Sequence, residues 1–293
     1  MSEHYGTPPD YLIIGHVTMD LLPGGQGYAP GGTVTYSALA AARLGAQVAV
    51  VTACKPEDDW VLDVARAEGV WVHALPSPHT TIFRNVYDEH GHRTQFIKAQ
   101  ARALRYEDVP KAWGAAPIVH LGPVAQELPP DMPGRFPNCL LGVTPQGWMR
   151  SWDGDGMVRH SARPVPLALR DLPPNTFLVL SIEDLGYDPA LVDVYTRLAP
   201  LVVITQEARD ALVSDRGRRT AVPAYPARVL DPTGAGDIFA AALFVRYRET
   251  GDLVQAVRFA HAAAACAIEG PGFSTIPNKN TVELRMRNFA SWA

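Results

Sequence analysis

The stretch DPTGAGD at residues 231–237 runs directly into the apolar segment 238–245, and this pattern indicates a loop that becomes the start of a helix. Thr233 is a candidate N-cap, so that ordinary capping explains part of the pattern. It does not explain Gly234 and Gly236, because each glycine in a first turn costs up to about 1 kcal/mol relative to alanine. The two glycines indicate that a ligand approaches the backbone closely.

The chemistry of this helix start favours a phosphate group. Backbone N–H groups at the positive end of a helix bind anions, and phosphate is the usual guest. Asp237 follows the glycines directly, and its carboxylate would repel a phosphate but could take the proton from a hydroxyl that attacks it. The segment therefore predicts a phosphoryl-transfer centre. The alternative without chemistry is a small-residue helix start packed tightly on a strand.

The composition is typical of a cytoplasmic enzyme. The chain has 293 residues, of which 47% are hydrophobic and 19% charged, and this supports a substantial core. A formal net charge of -4 with scattered Lys and Arg disfavours a nucleic-acid partner. Because Cys54, Cys139 and Cys266 form no CxxC pair, we expect neither a disulfide framework nor a zinc site. The apolar runs are too short to span a bilayer, so we expect no membrane partner.

The order of predicted elements supports an open sheet flanked by helices. Short β-rich runs lie at residues 11–14, 47–52, 118–121, 139–143, 177–181 and 201–205. Helical patterns lie at residues 33–44, 57–67, 190–198, 234–249, 253–268 and 281–289. This alternation predicts a mainly parallel sheet with helices on both faces, in which ligands gather at the carboxyl ends of the strands. A short strand expected at residues 228–230 would deliver the glycine loop to that edge.

One region breaks the alternation. Residues 80–88 and 92–98 show two polar–apolar strands joined by the turn 89–91, which predicts a hairpin. With the glycine-rich segment 20–28, this hairpin could form a small β-lid over the sheet, and lids that close over a substrate keep water from the reaction. The alternative is an ordinary surface hairpin.

A second glycine signal lies near the N-terminus. Gly31 and Gly32 open the predicted helix 33–44, where a substrate could contact the backbone without a Cβ in the way. Asp20 follows the first strand, and a carboxylate there can bind two neighbouring hydroxyls of a polyol. Taken alone, each residue could equally be an ordinary turn residue.

Several familiar motifs are absent from the sequence. It contains no GxxxxGK[ST], which excludes a Walker-type phosphate loop, and no strand is followed by GxGxxG, which weakens a dehydrogenase interpretation. It also contains no HExxH and no GxSxG. The phosphate-binding signal therefore belongs to another class of protein.

Three signals together resemble the ribokinase-like (PfkB) carbohydrate kinase family: the glycine pair with its helix, the 231–237 segment and the late segment 272–277. The resemblance covers nearly the whole chain. It implies one three-layer α/β/α Rossmann-like domain over residues 1–293, with a β-lid formed by about 16–30 and 79–98. It also implies Mg²⁺-dependent transfer of the γ-phosphoryl group of ATP to a hydroxyl of a small polyol, cyclitol or sugar, often with activation by a monovalent cation such as K⁺.

The match of motif positions implies a role for each site residue. Asp237 is the expected catalytic base, and the expected anion hole comprises Gly234, Ala235 and Gly236. The expected substrate contacts are Asp20, Gly31, Gly32, Tyr36 and Arg84. Arg84 and Arg93 are two arginines of the predicted lid, and either could neutralise negative charge at the site. The expected nucleotide contacts are Ser181, Thr205, Thr233 and Gly272. Asp184 is expected to contact the metal through water, and Asp231 a monovalent cation.

The sequence departs from the family pattern at three places. Tyr36 stands where family members commonly have Asn, the segment 181–184 replaces Asn-x-x-Glu with Ser-x-x-Asp, and the segment 205–207 lacks the glycine of Thr-x-Gly. The first two departures and the pattern Gly-His-x-x-x-Asp at residues 15–20 resemble the myo-inositol kinase type. We therefore expect myo-inositol as the acceptor. Another sugar or nucleoside kinase of the family, or a catalytically silent small-molecule-binding regulator, is the alternative, and the protein is expected to be a monomer or a homodimer through the lid.

Overall fold

The computed structural model describes residues 4–87 and 93–290. The described strands are, in chain order, β1 (Tyr11–Ile14), β2 (Thr18–Leu21), β3 (Tyr28–Gly31), β4 (Val48–Cys54), β5 (Trp71–Pro76), β6 (Thr81–Tyr87), β7 (Arg93–Ala99), β8 (Ile118–Leu121), β9 (Leu140–Val143), β10 (Arg150–Trp152), β11 (Val158–His160), β12 (Thr176–Ser181), β13 (Leu201–Gln206), β14 (Arg209–Asp215) and β15 (Arg218–Val222). The described α-helices are α1 (Thr33–Arg43), α2 (Asp63–Ala67), α3 (Pro189–Tyr195), α4 (Ala235–Thr250), α5 (Leu253–Ala267) and α6 (Lys279–Ala290).

Nine strands form a central sheet in the order β15-β14-β13-β12-β9-β8-β1-β4-β5. The strands from β13 to β5 run parallel, and β14 and β15 add an antiparallel edge. β1 and β4 are buried along their whole length, as parallel strands covered on both faces must be. The mainly parallel sheet predicted from the sequence is therefore confirmed.

The two faces of the sheet bury separate apolar clusters, because successive side chains of a strand point to opposite faces. Tyr11 and Ile13 of β1 belong to the cluster that α1, α4 and α5 cover. Leu12 and Ile14 belong to the cluster on the other face, which contains Tyr195 of α3. The result is the three-layer α/β/α arrangement that the family resemblance implied.

A separate four-stranded sheet has the order β3-β2-β6-β7. β2 pairs antiparallel with β3 and parallel with β6, and β6 pairs antiparallel with β7. The register sets Asp20 beside Phe83 and Leu21 beside Arg84, so that Asp20 and Arg84 lie on opposite faces. We call this sheet the lid. The turn predicted at residues 89–91 lies outside the described residues.

The structure corrects several local predictions. No strand forms at residues 228–230, where Leu230 instead donates its N–H to the carbonyl of Ile268 at 2.8 Å. The helix predicted at residues 57–67 is a 3₁₀ segment over Pro56–Leu62 that continues into α2. The sequence analysis missed five strands, which are β5, β10, β11, β14 and β15. These strands are short or only partly buried, so that their apolar pattern is weak.

Cys54, Cys139 and Cys266 are free thiols. Within residues 4–87 and 93–290, every helix is too short or too polar to cross a lipid bilayer.

Gly142 of β9 tests the packing of α4 against the sheet. A Cβ at this position would overlap the ring of Phe244, which is fully buried in α4. Overpacking of a filled core costs about 1–3 kcal/mol, so Gly142→Ala should lower the free energy of unfolding by that amount in denaturant titrations. Gly134→Ala is the matched control, because a Cβ there meets no atom within 4 Å. Equal unfolding midpoints for the two variants would contradict the described contact.

Candidate active site

Two helix N-termini meet beyond the carboxyl end of β1. α1 begins after Gly32, and α4 begins after Gly234. The Thr33 hydroxyl in the first turn of α1 lies close enough to the Asp237 carboxylate in the first turn of α4 to lower the pKa of that carboxyl. One turn further along α1, the Ser37 hydroxyl donates to the backbone carbonyl of Asp237 at 3.1 Å. Two residues of α1 thus fix the position of the predicted catalytic base.

Glycines allow α1 to approach the sheet this closely. A Cβ on Gly122, which follows β8, would lie 2.6 Å from Cγ2 of Thr33. A Cβ on Gly15, which follows β1, would overlap the carbonyl oxygen of Gly122. A larger residue at Gly122 would push Thr33 away, and one at Gly15 would displace Gly122.

Gly234 has a structural role that differs from the one argued from the sequence. Its φ of +75° is a left-handed conformation that favours glycine, and a Cβ there would overlap the ring of Tyr36. Tyr36 is 6% exposed, and its ring centroid lies 4.8 Å from that of Phe273. Gly234 therefore accommodates a tight turn and an aromatic ring, and Tyr36 supports the glycine loop from below. A direct contact of Tyr36 with the substrate stays a prediction.

Gly236 is the position that is open to a ligand. It is exposed, and a Cβ built on it meets no atom within 4 Å. The N–H of Ala235, by contrast, donates to the carbonyl of Pro232 at 3.2 Å. An anion can thus approach the helix start from the side of Gly236, and the anion hole stays a prediction.

Asp231 ties two loops together. One carboxylate oxygen accepts the N–H of Thr233 at 3.0 Å, and the other accepts the N–H of Gly272 at 2.9 Å. The late glycine segment is thereby fixed beside the 231–237 loop, so the structure brings Asp231, Thr233 and Gly272 together. The assignments of Asp231 to a monovalent cation and of Thr233 and Gly272 to a nucleotide stay predictions.

Gly31 makes room for the carboxylate of Asp20. A Cβ on Gly31 would lie 2.5 Å from Oδ2 of Asp20, and Gly32 has a φ of +86°. Asp20 therefore lies over the glycine pair at the start of α1, as the resemblance implied. Arg84 is exposed on the opposite face of the lid and does not join this group. The side chain of Arg93 lies outside the described part of the structure.

Ser181 and Asp184 form a reciprocal pair after β12. The N–H of Ser181 donates to Oδ2 of Asp184 at 2.8 Å, and the N–H of Asp184 donates to the Ser181 hydroxyl at 3.1 Å. Oδ1 of Asp184 lies 3.4 Å from Nε2 of His160. Thr205 is beside Ser181 in the register of β12 and β13, so that both residues lie at the same edge of the sheet.

The environment of Asp237 raises its pKa from 3.8 to about 6. Burial is the largest cause, and the hydrogen bond from Thr33 and the positive charge of Arg150 oppose it, while the charge of Asp184 adds to it. A helix start alone would hold this carboxylate ionised, whereas burial shifts it toward neutrality. A base with a pKa near 6 is ionised at pH 7.5 and is still able to accept a proton.

Arg150, the first residue of β10, was missed by the sequence analysis. It is 7% exposed and close enough to Asp237 to lower the pKa of that carboxyl. The analysis sought a cation on the lid, and no motif distinguishes this arginine from others in an irregular part of the chain. Only the folded arrangement brings it to the site.

The comparisons with known proteins agree with this geometry. Residues 188–280 match the model of the pfkB family carbohydrate kinases. The chain is 28% identical over 269 residues to a cytidine kinase of Thermococcus kodakarensis, covering 85% of this chain and 92% of the relative. It is 26% identical over 255 residues to a fructokinase of Klebsiella pneumoniae, covering 79% and 82%. It is 31% identical over 252 residues to an inositol 3-kinase of Oryza sativa subsp. japonica, covering 78% and 61%.

Solved structures share the whole fold. A sulfate complex of a pyrophosphate-dependent kinase in the ribokinase family superimposes with a TM-score of 0.79 at 23% identity, covering 94% of this chain and 99% of the other. A pyrophosphate-dependent kinase of that family complexed with a pyrophosphate analog and myo-inositol gives 0.78 at 23% identity, with the same coverage. The ribokinase of Arabidopsis thaliana complexed with ribose and ATP gives 0.73 at 18%, covering 96% and 99%.

The matched segment contains the 231–237 loop, α4 and α5. The match over residues 188–280 is to the pfkB family carbohydrate kinases, and with the kinase relatives it makes the chain a phosphotransferase of the sugar, polyol or nucleoside kinase class.

Gly236 and Gly234 give a matched pair of variants that separates ligand access from folding. Gly236→Ala should fold normally, because its Cβ has space, and it should gain up to about 1 kcal/mol from helix propensity. It should nevertheless lose donor binding, because the methyl group covers the helix start. Gly234→Ala should lower the unfolding temperature. Calorimetry and donor titrations check both, and a fully active Gly236→Ala protein would contradict an anion site here.

Asp237→Asn should be inactive and yet more stable than the wild type at pH 8. A carboxyl with a folded pKa of about 6 holds its proton longer than the unfolded chain does, so that folding stability falls as pH rises from about 4 to 6. Asn avoids this cost, which is at most about 3 kcal/mol. Denaturant titrations should show the gain at pH 8 and its loss below pH 4. A gain that is equal at both pH values would contradict the shifted pKa.

Proposed function

We propose that the protein transfers the terminal phosphoryl group of ATP to a hydroxyl of a small polyol or cyclitol, with myo-inositol as the preferred acceptor and Asp237 as general base. The observation that carries the proposal is the half-buried Asp237 at the open start of α4, beside Thr33 of α1, while the lid residue Asp20 lies over the glycine pair that precedes Thr33, and both carboxylates act on Tyr36. A hydroxyl bound between the two carboxylates would lie between its base and the anion-binding helix start.

The bonds change as follows. The acceptor oxygen forms a bond to the terminal phosphorus, the bond from that phosphorus to the bridging oxygen breaks, and ADP leaves with the bonding electrons. The proton of the acceptor hydroxyl passes to the Asp237 carboxylate. Such a reaction depends on positioning and charge neutralisation more than on covalent participation by the protein. The helix start and the buried carboxylate would supply both.

The residues beyond β12 suit Mg²⁺ at the donor phosphates. Asp184 and Ser181 offer carboxylate and hydroxyl oxygens, which are the hard ligands that Mg²⁺ prefers. The described part of the chain contains no group of three or more His, Cys, Asp or Glu side chains that could hold a metal. Mg²⁺ would therefore be shared with the donor phosphates and would neutralise their charge when bound, with Asp184 contacting it through water. A requirement for K⁺ stays a prediction.

The choice of acceptor rests on two observations. The inositol 3-kinases of Oryza sativa and Zea mays are 31% and 30% identical to the chain, the latter over 203 residues. A ring hydroxyl pair would also suit Asp20, because a carboxylate oriented over Gly31 can accept hydrogen bonds from two neighbouring hydroxyls. The cytidine kinase and fructokinase relatives make a nucleoside or a ketose the competing acceptor.

Inorganic pyrophosphate is a second candidate donor. Where family members have the glycine of Thr-x-Gly, Glu207 adopts a φ of +57° and accepts a hydrogen bond from the hydroxyl of Tyr187 at 2.7 Å. A carboxylate and an aromatic ring at this position would hinder a nucleoside, whereas pyrophosphate needs no base pocket. The similarity in fold to pyrophosphate-dependent kinases supports the same donor.

A matrix of donors and acceptors tests the proposal. ATP or pyrophosphate with Mg²⁺ is combined with myo-inositol, fructose, ribose and cytidine, and the phosphorylated product is followed by ³¹P NMR. An assay of ADP release would miss turnover with pyrophosphate. We expect the highest kcat/KM for myo-inositol and a loss of at least about 100-fold in Asp237→Asn.

Two results would contradict the proposal. Equal turnover in Asp237→Asn would remove the assigned base, and a higher kcat/KM for cytidine or fructose would remove the assigned acceptor. The variant Glu207→Gly tests whether ATP or pyrophosphate is the donor. If Glu207 hinders a nucleoside, this variant should raise kcat/KM for ATP and leave that for pyrophosphate unchanged.

A further inference from the structure

A two-stranded hairpin connects the lid with the candidate active site. β10 and β11 pair antiparallel, and the register places Arg150 opposite His160 at the base of the hairpin. At its tip, the carbonyl of Gly156 accepts the N–H of Ile97 from lid strand β7 at 2.8 Å. Gly156 has a φ of +81°, and a Cβ there would overlap the Ile97 carbonyl. The tip of the hairpin is therefore bound to the lid through backbone contact.

Arg150, at the base of the hairpin, is a buried residue whose guanidinium contacts the lid. The guanidinium carbon of Arg150 lies 5.4 Å from the ring centroid of Phe83 on lid strand β6, and Nη1 donates to the carbonyl of Val124 at 2.9 Å. Phe83 is the register neighbour of Asp20. Arg150 thus contacts the lid on the face that carries Asp20 while its charge acts on Asp237.

We propose that Arg150 contacts the phosphoryl group during its transfer and stabilises the negative charge on it. This inference rests on the proposed function. The oxygen that attacks phosphorus is the one whose proton Asp237 takes, so the phosphoryl group must pass beside the Asp237 carboxylate. Arg150 packs on Phe83, the register neighbour of Asp20, and its charge acts on the Asp237 carboxylate. The planar guanidinium can donate two parallel hydrogen bonds to phosphoryl oxygens. The contact with Phe83 makes this arrangement depend on the lid.

The chain offers a matched control on the same hairpin. Arg159 of β11 has a side chain that is 66% exposed and lies 3.4 Å from Asp153. Arg159→Met removes an arginine from the hairpin without touching the site. Arg150→Met removes the charge but keeps much of the packing on Phe83, and Arg150→Gln removes the charge but keeps an N–H donor for the Val124 carbonyl.

Steady-state kinetics with the best donor and acceptor pair gives the first readout. Loss of one preorganised donor to a developing charge lowers kcat by about 100- to 1000-fold, and we expect this loss in Arg150→Gln and Arg150→Met with KM for the acceptor within about threefold. Arg150→Lys, which keeps the charge, should recover part of the loss. Arg159→Met should match the wild type. A kcat for Arg150→Gln within threefold of the wild type would overturn the proposal.

The pH profile gives a readout that a purely structural role would not move. The charged and titratable groups that face Asp237 are Arg150 from β10, Asp184 after β12, Tyr11 from β1 and Tyr36 from α1. Arg150 is the positive member of this group. Its removal should move the acid limb of kcat/KM to higher pH, and Arg150→Lys should leave the limb in place. An acid limb that is unchanged in Arg150→Gln would contradict the proposed position.

Calorimetric binding of inorganic phosphate separates this inference from the proposed function. At pH 8, phosphate should bind at least tenfold more weakly to Arg150→Gln than to the wild type and Arg159→Met. If the wild type phosphorylates no acceptor but this difference holds, the contact is supported and the proposed function fails. If phosphate binds equally to all three proteins, the contact is overturned whatever the turnover.

Discussion

The contact of Thr33 with Asp237 is the interaction on which the candidate site depends, because it joins the N-terminus of α1 to that of α4. Without this contact, the positive ends of the α1 and α4 helix dipoles would be two separate features. Together with the bond from Ser37 to the Asp237 carbonyl, it fixes a half-buried carboxylate beside an open helix start. Glycines follow β1 and β8 because α1 lies so close to the sheet that a side chain at either position would not fit.

The electrostatics of the site follow from a competition between burial and specific partners. Burial alone would favour the neutral form of Asp237, and the Thr33 hydroxyl and Arg150 restore part of its acidity. The outcome is a pKa of about 6, which suits a base that must be ionised near neutral pH and still accept a proton. The same burial costs folding stability, and this is the usual relation between a preorganised site and the fold that holds it.

The sequence predicted the elements that depend on local pattern. The buried parallel strands, the glycine loop at 231–237 and the glycine pair at Gly31 and Gly32 were all found at or near their predicted positions. Gly234 has a further reason that the sequence did not reveal, since the ring of Tyr36, 198 residues away along the chain, leaves no room for a Cβ there. Arg150 was missed for the same physical reason, because its role follows from contacts between β10, β6 and α4 that no local periodicity encodes. The kinase class follows from the matched segment and the relatives, and the acceptor and the donor are proposals.

The central claim is that Asp237 is a half-buried carboxylate prepared to accept a proton. Titration of the ¹³C carboxyl resonances of aspartate-labelled protein, with the Asp237 signal assigned by its absence from Asp237→Asn, measures this directly. We predict that the Asp237 resonance titrates with a midpoint near pH 6. A midpoint near 3.8, the ordinary value for an aspartate, would contradict both its burial and its role as the base.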